Sequence, residues 1–212
     1  MTTDPTMAEQ ERPQIYLITP PELDLESFPA LLSSVLDATE IACVRLSLST
    51  QDETVILRTG DTLREITHAR DIPLIIDTHV TMVERLGLDG VHLLDGARSV
   101  RYVRKELGGE AIIGAFCGTS RHDGMNAGEA GADYISFGPV GHTSLGSGDT
   151  VDLDVFQWWS EVVEIPVVAE GGLDEKTLAT LSEITDFVAL GPEVWASDTP
   201  ATRLQELTAA LG

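Results

Sequence analysis

Eight short apolar runs punctuate the chain, and between them lie stretches in which apolar residues recur every three or four positions. The runs are "IYLIT" (15–19), "IACVRLSL" (41–48), "PLIID" (73–77), "DGVHLL" (89–94), "AIIGAFC" (111–117), "DYISFG" (133–138), "PVVAEGG" (166–172) and "DFVALG" (186–191). Runs without polar alternation suit strands that are covered on both faces. The intervening stretches predict helices with one buried stripe each: Val100, Val103 and Leu107; Phe156, Trp159 and Val163; Leu204, Leu207 and Leu211. The last helix has Asp198 or Thr199 at its start as a capping residue and Pro200 in its first turn.

Eight strand-plus-helix units in 212 residues predict an α/β fold, a single-domain (β/α)₈ TIM barrel over 13–212, preceded by a loose tail over 1–12. An open doubly wound sheet is the competing architecture. It is disfavoured because "TPPELD", after the first run, carries no G-x-G-x-x-G nucleotide loop. In a barrel, chemistry belongs to the C-terminal ends of the strands. The residues to weigh are therefore Arg45, Asp77, His79, Asp95, His142, Thr143, Gly171, Gly172 and Gly191.

A formal net charge of −22 changes the list of partners rather than the fold. Nucleic acid and anionic membrane surfaces require clustered Lys and Arg, so neither is expected as a partner. No apolar run approaches the roughly 20 residues that span a bilayer, and the first dozen residues lack a signal-peptide core, which predicts a soluble, cytoplasmic protein. Cys43 and Cys117 fall within apolar runs and read as buried, reduced thiols. His92 reads as a packed core histidine and His122 as a surface residue on a helix. Trp158 and Trp159 are adjacent on a helix, so one faces the barrel and the other is free for a homo-oligomer contact.

The segments "GADYISFGPVGHT" and "IPVVAEGGL", with "IPLIID" and "GLDGVHLL" upstream, resemble the thiamine-phosphate synthase family and its relative, the thiazole tautomerase. The likeness runs through strands three to eight and is weaker over the first two. It implies a barrel that joins a pyrimidine pyrophosphate to a thiazole phosphate with Mg²⁺ and releases pyrophosphate. It also implies roles: Arg45 at the pyrophosphate, and Thr143, Gly171, Gly172 and Gly191 around the thiazole phosphate; Asp77 and Asp95, at the ends of neighbouring strands, are candidates to hold the metal, with helix capping or turn formation as the alternative. The family pattern has other residues where this chain has Cys43, Ser47, Thr78, Ala97, Phe116, Gly118 and Gly146, among them two lysines, two metal aspartates and the histidine after strand five. Glu170 stands where the family has an apolar residue.

Expulsion of pyrophosphate places negative charge on the leaving group, so the missing cations matter. His79 and His142, at or after strand ends, are candidates to replace a cation or to serve as acid and base. The expectation is a thiamine-phosphate-synthase-like barrel with impaired coupling. The alternative is a divergent paralogue that binds a phosphorylated small molecule or a partner protein without the coupling.

Overall fold

The computed structural model describes residues 12–142 and 148–212. The expected tail, apart from Arg12, and the loop positions Thr143 and Gly146 lie outside the described residues. Eight parallel strands close into a barrel in sequence order: β1 (Gln14–Ile18), β2 (Cys43–Leu46), β3 (Leu74–Asp77), β4 (Gly90–Leu93), β5 (Ile112–Phe116), β6 (Tyr134–Phe137), β7 (Val167–Glu170) and β8 (Phe187–Leu190). Pairing of Gln14 with Phe187 and of Leu17 with Leu190 seals β1 to β8. Each of the eight apolar runs coincides with one strand; β1 starts one residue ahead of its run, at Gln14, and the others lie within theirs, trimmed at one or both ends.

Helices follow the strands: α1 (Phe28–Leu36), α2 (Glu53–His68), α3 (Val80–Leu86), α4 (Val100–Leu107), α5 (Arg121–Ala130), α6 (Leu153–Val162), α7 (Glu175–Leu181), the single turn α8 (Pro192–Trp195) and α9 (Pro200–Ala209). Local chemistry sets several starts. The Asp52 carboxylate accepts the Thr54 and Val55 N–H groups, the Asp174 carboxylate accepts from Thr177 N–H, and the Ser120 hydroxyl accepts from Asp123 N–H. At α9, Thr199 occupies the cap position without a side-chain cap bond, and the Ser197 hydroxyl accepts Thr199 N–H instead. The predicted stripes are buried at Val100, Val103, Phe156, Trp159, Leu204, Leu207 and Leu211.

Strand alternation sorts side chains into two cores. Outward residues such as Leu17, Val44, Leu74, Ile76, Val91, Ile113, Ile135 and Phe137 meet the helices in a large apolar shell. Inward residues form a smaller cluster of Tyr16, Cys43, Ile75, Tyr134, Val168 and Ala189. Gly114 makes room for the largest of these, since a Cβ there would fall 2.0 Å from the Tyr134 ring.

At the N-terminal rim one device recurs. Asp89, Asp133 and Asp186 each precede an even-numbered strand, and their carboxylates accept the N–H of Leu74, Ile113 and Val167 on the preceding odd strand. Each bond pins one strand start to the next, which leaves the opposite, C-terminal rim to carry chemistry. Among the described residues no helix is long and apolar enough to cross a membrane.

Candidate functional site

The inward positions at the ends of β2, β3 and β7 place Arg45, Asp77 and Glu170 together at the C-terminal mouth. Arg45 Nη1 donates to Glu170 Oε2 at 3.0 Å, and Arg45 Nε lies 3.3 Å from Asp77 Oδ1. The second contact is Coulombic and lacks hydrogen-bond geometry, because neither Arg45 Nε nor Asp77 Oδ1 has a hydrogen-bond partner. The guanidinium also lies over the Tyr16 ring, 5.7 Å from its centroid. With 6% of its surface exposed, Arg45 is the only buried lysine or arginine among the described residues.

Burial opposes the Arg45 charge, but Glu170, Tyr16 and Asp77 outweigh that cost and hold its pKa well above the ordinary value. Asp77 behaves differently. Burial raises its pKa, and the opposing influences of Arg45 and the Ser47 hydroxyl do not bring it back. One guanidinium thus faces two carboxylates.

Beneath this triad the barrel interior is polar and tightly linked. Tyr16 and Tyr134 share a 2.8 Å hydroxyl–hydroxyl bond, and the Tyr134 hydroxyl lies 2.8 Å from His92 Nδ1. Burial raises both phenol pKa values and, with Arg45 nearby, pushes His92 well below its ordinary value, so the imidazole is neutral. His92 is fully buried, as its place in the pattern predicts, and His92 Nε2 and Ser136 Oγ have no hydrogen-bond partner.

The glycine end of the mouth is also engaged by the protein itself. Gly171 and Gly172 adopt φ of 86° and 70°, a left-handed conformation that glycine enters without a Cβ clash. Gly172 is also in close contact with Gly141: a Cβ on Gly141 would lie 1.9 Å from the Gly172 carbonyl oxygen. This geometry aims the Gly172 and Leu173 N–H groups at Glu193 Oε1, at 2.9 and 3.2 Å, while Gly191 N–H donates to Glu193 Oε2 at 3.0 Å. The amides expected around a phosphate are bound to a carboxylate of this chain.

The remaining sequence candidates are scattered. Asp95 is exposed and its carboxylate accepts from the Ser99 hydroxyl at 2.6 Å. With Arg98, Gly118, Asp123 and Asn126 it lines a polar cleft of about 560 Å³ beside β4 and β5. His79 is half-buried at the start of α3, close enough for its charge to act on Asp77. His142 is exposed, and His122 is exposed on α5. Cys43 and Cys117 are buried free thiols.

Thr78, on the rim beside Asp77, has φ of 56°, an unfavourable conformation for a β-branched residue. Asp77 and Asp95 do not form a metal site with their neighbours: one faces Arg45 and the other Ser99. No group of three His, Cys, Asp or Glu side chains suited to a metal ion occurs among the described residues. Among the described residues, the mouth therefore holds no preformed carboxylate site for Mg²⁺.

The model of the family described as thiamine monophosphate synthase matches residues 15–193. The chain belongs to that family. Thiamine-phosphate synthase of Rhodospirillum centenum is 39% identical over 184 residues, covering 86% of this chain and 89% of that protein. The Erythrobacter litoralis thiamine-phosphate synthase is 37% identical over 200 residues, covering 91% and 93%. Among solved structures, thiamine phosphate pyrophosphorylase from Pyrococcus furiosus superposes with a TM-score of 0.81 at 23% identity, covering 93% of this chain and 96% of that one. At that identity the superposition speaks for the barrel. The sequence relatives speak for a thiamine-phosphate-synthase-like barrel in thiamine biosynthesis.

Sequence reasoning picked out Arg45, Asp77 and the three glycines but missed Glu193. In "GPEVW" a glutamate in the first turn of a helix reads as surface charge. The available signal was its spacing, two residues after the glycine that ends the last apolar run, which lets a carboxylate fold back onto that glycine's N–H. The Tyr16–Tyr134–His92 chain was also missed, since each member reads singly as core.

Proposed function

We propose that this member of the thiamine monophosphate synthase family acts at the joining of the pyrimidine and thiazole halves of thiamine, and that it turns over the two phosphorylated substrates far more slowly than its curated relatives. The observation that carries the reading is the enclosure of Arg45 by Asp77 and Glu170. Expulsion of pyrophosphate requires cationic groups free to take up charge in the transition state. Here the cation at the strand-two position faces two carboxylates of its own barrel, and His79, two residues after Asp77, is a group that could add positive charge. In this reading Arg45, His79 and His142 serve the reacting ends, Thr143 and the glycine loops serve the thiazole, and Mg²⁺ arrives with the pyrophosphate rather than at a preformed carboxylate site.

The loss of a single preorganised donor lowers turnover by a factor of about 100 to 1,000. The test is kcat/KM for coupling of the pyrimidine pyrophosphate to the thiazole phosphate in Mg²⁺, measured beside the Rhodospirillum centenum enzyme. A value lower by about that factor is expected. Parity would contradict the reading, and absence of product together with saturable binding of the thiazole phosphate would replace it with a binding role.

A further inference from the structure

A chain of three buried side chains crosses the barrel beneath the mouth. The Tyr16 and Tyr134 hydroxyls lie 2.8 Å apart, and the Tyr134 hydroxyl lies 2.8 Å from His92 Nδ1. On the sheet Gly114 stands between the last two, paired with His92 on one side and with Tyr134 on the other. Its missing Cβ lets the Tyr134 ring pass over it to reach the imidazole. With His92 neutral, the three groups hold two hydroxyl protons and one imidazole proton. Only one ordering gives both hydroxyl protons an acceptor within the chain: Tyr16 donates to Tyr134, and Tyr134 donates to His92 Nδ1. That ordering leaves the imidazole proton on Nε2, the ring atom with no hydrogen-bond partner among the described residues.

Packing from below does not fix the two phenol rings. A cavity of about 250 Å³ opens toward the N-terminal end of the barrel, and Tyr16 and Tyr134 line it together with Cys43, Val168 and Phe187. Part of each ring therefore meets space instead of side chains, and the hydrogen bonds carry the orientation. The Arg45 guanidinium lies over the Tyr16 ring, 5.7 Å from its centroid. Its other partners, Asp77 and Glu170, hold it through charge, which constrains direction less than a ring face does.

We propose that Tyr134 and His92 are positioning residues for Arg45: the hydrogen-bonded chain from His92 through Tyr134 sets the Tyr16 ring, and that ring sets the guanidinium at the mouth. That Arg45 serves the departing pyrophosphate rests on the proposed function; that the chain sets its guanidinium does not.

The test is NMR of the full chain, following the Nε–H resonance of Arg45 and the ring nitrogens of His92. Tyr16→Leu removes the ring and gives the Arg45 signal without its platform. Tyr134→Phe and His92→Leu break the chain while leaving Arg45, Asp77, Glu170 and Tyr16 in place, and are expected to move the signal toward that of Tyr16→Leu. His92→Asn keeps an acceptor near the Nδ1 position and is expected to restore the native signal. In the native protein the His92 proton is expected on Nε2. An Arg45 signal that stays at its native position in whichever of Tyr134→Phe and His92→Leu folds, or a proton found on His92 Nδ1, would overturn the proposal. Coupling kinetics give the functional readout: in the folded variants kcat should fall about tenfold or more with KM for the pyrimidine pyrophosphate nearly unchanged, since a misplacement of about 1 Å can cost roughly 100-fold. A displaced Arg45 signal with native kcat would contradict the part given to Arg45 in coupling and leave its positioning by the chain supported, so the two failures are told apart.

Discussion

Replacing Arg45 by leucine removes the charge that holds two carboxylates inside the mouth. Arg45 is 6% exposed, and the side chains of Asp77 and Glu170 are 12% and 14% exposed, so water does little to compensate either acid. Loss of one partner from a buried ion pair costs about 3–5 kcal/mol, because the other charge is left uncompensated. For a domain of this size 1 kcal/mol moves Tm by about 2–4 °C, so Arg45→Leu should melt roughly 6–20 °C lower than the native chain at pH 7.

The deficit should also depend on pH in a definite direction. Burial already raises the Asp77 pKa, and Arg45 is the main influence that lowers it, so its removal raises it further. Between the ordinary aspartate value and that raised value the folded state holds more protons than the unfolded one. Stability therefore falls as pH rises through this window, and the variant should recover part of its loss as pH is lowered below neutrality. The triple variant Arg45→Leu, Asp77→Asn, Glu170→Gln removes all three charges and should regain most of the stability. Differential scanning calorimetry at several pH values is the assay. An Arg45→Leu variant melting within about 2 °C of the native chain at pH 7 would show instead that the triad is solvated.

Other expectations follow from single observations. Gly114→Ala places a Cβ against the Tyr134 ring and should cost about 1–3 kcal/mol in chemical denaturation, the range for an overpacked core; an unchanged midpoint would show that the ring can move freely. Asp186→Ala leaves the N–H of fully buried Val167 without its acceptor, and a loss of about 1–3 kcal/mol is expected by the same method. Thr78→Gly relieves a left-handed conformation that costs a residue with a side chain about 1–2 kcal/mol, and should match or exceed native stability in spite of the flexibility that glycine adds to the unfolded chain. The thiols of Cys43 and Cys117 are pushed up to about 12, chiefly by burial, so neither should react with an alkylating reagent at pH 8 until the chain unfolds.

The architecture was legible because a strand buried on both faces announces itself. In each apolar run the outward residues meet helices and the inward ones meet the barrel, so no polar alternation interrupts the signal. Helix stripes such as Val100–Val103 and Leu204–Leu207 were legible for the same reason, and His92 could be placed by its position inside a run. The site was harder to read. Arg45 and the glycine pair stand out as residue types, but their function here depends on what they bind, and their partners lie far away in the chain. Glu170 pairs with Arg45 across 125 positions, and Glu193 reaches amides 20 and 21 positions earlier. Charge was readable at each position, whereas neutralisation is a property of the closed barrel. Asp89, Asp133 and Asp186 make the same point at the opposite rim: each reads as the start of a strand, and each acts as a clasp on the strand before it.

Whether Arg45 is free to take up an anion is read by calorimetric titration of the native protein with inorganic pyrophosphate, with and without Mg²⁺. The enclosed Arg45 predicts no saturable heat at millimolar pyrophosphate in the native chain, and measurable binding once Glu170→Gln releases one side of the guanidinium. Micromolar binding by the native chain would show that the triad opens for the ligand, and would contradict the account.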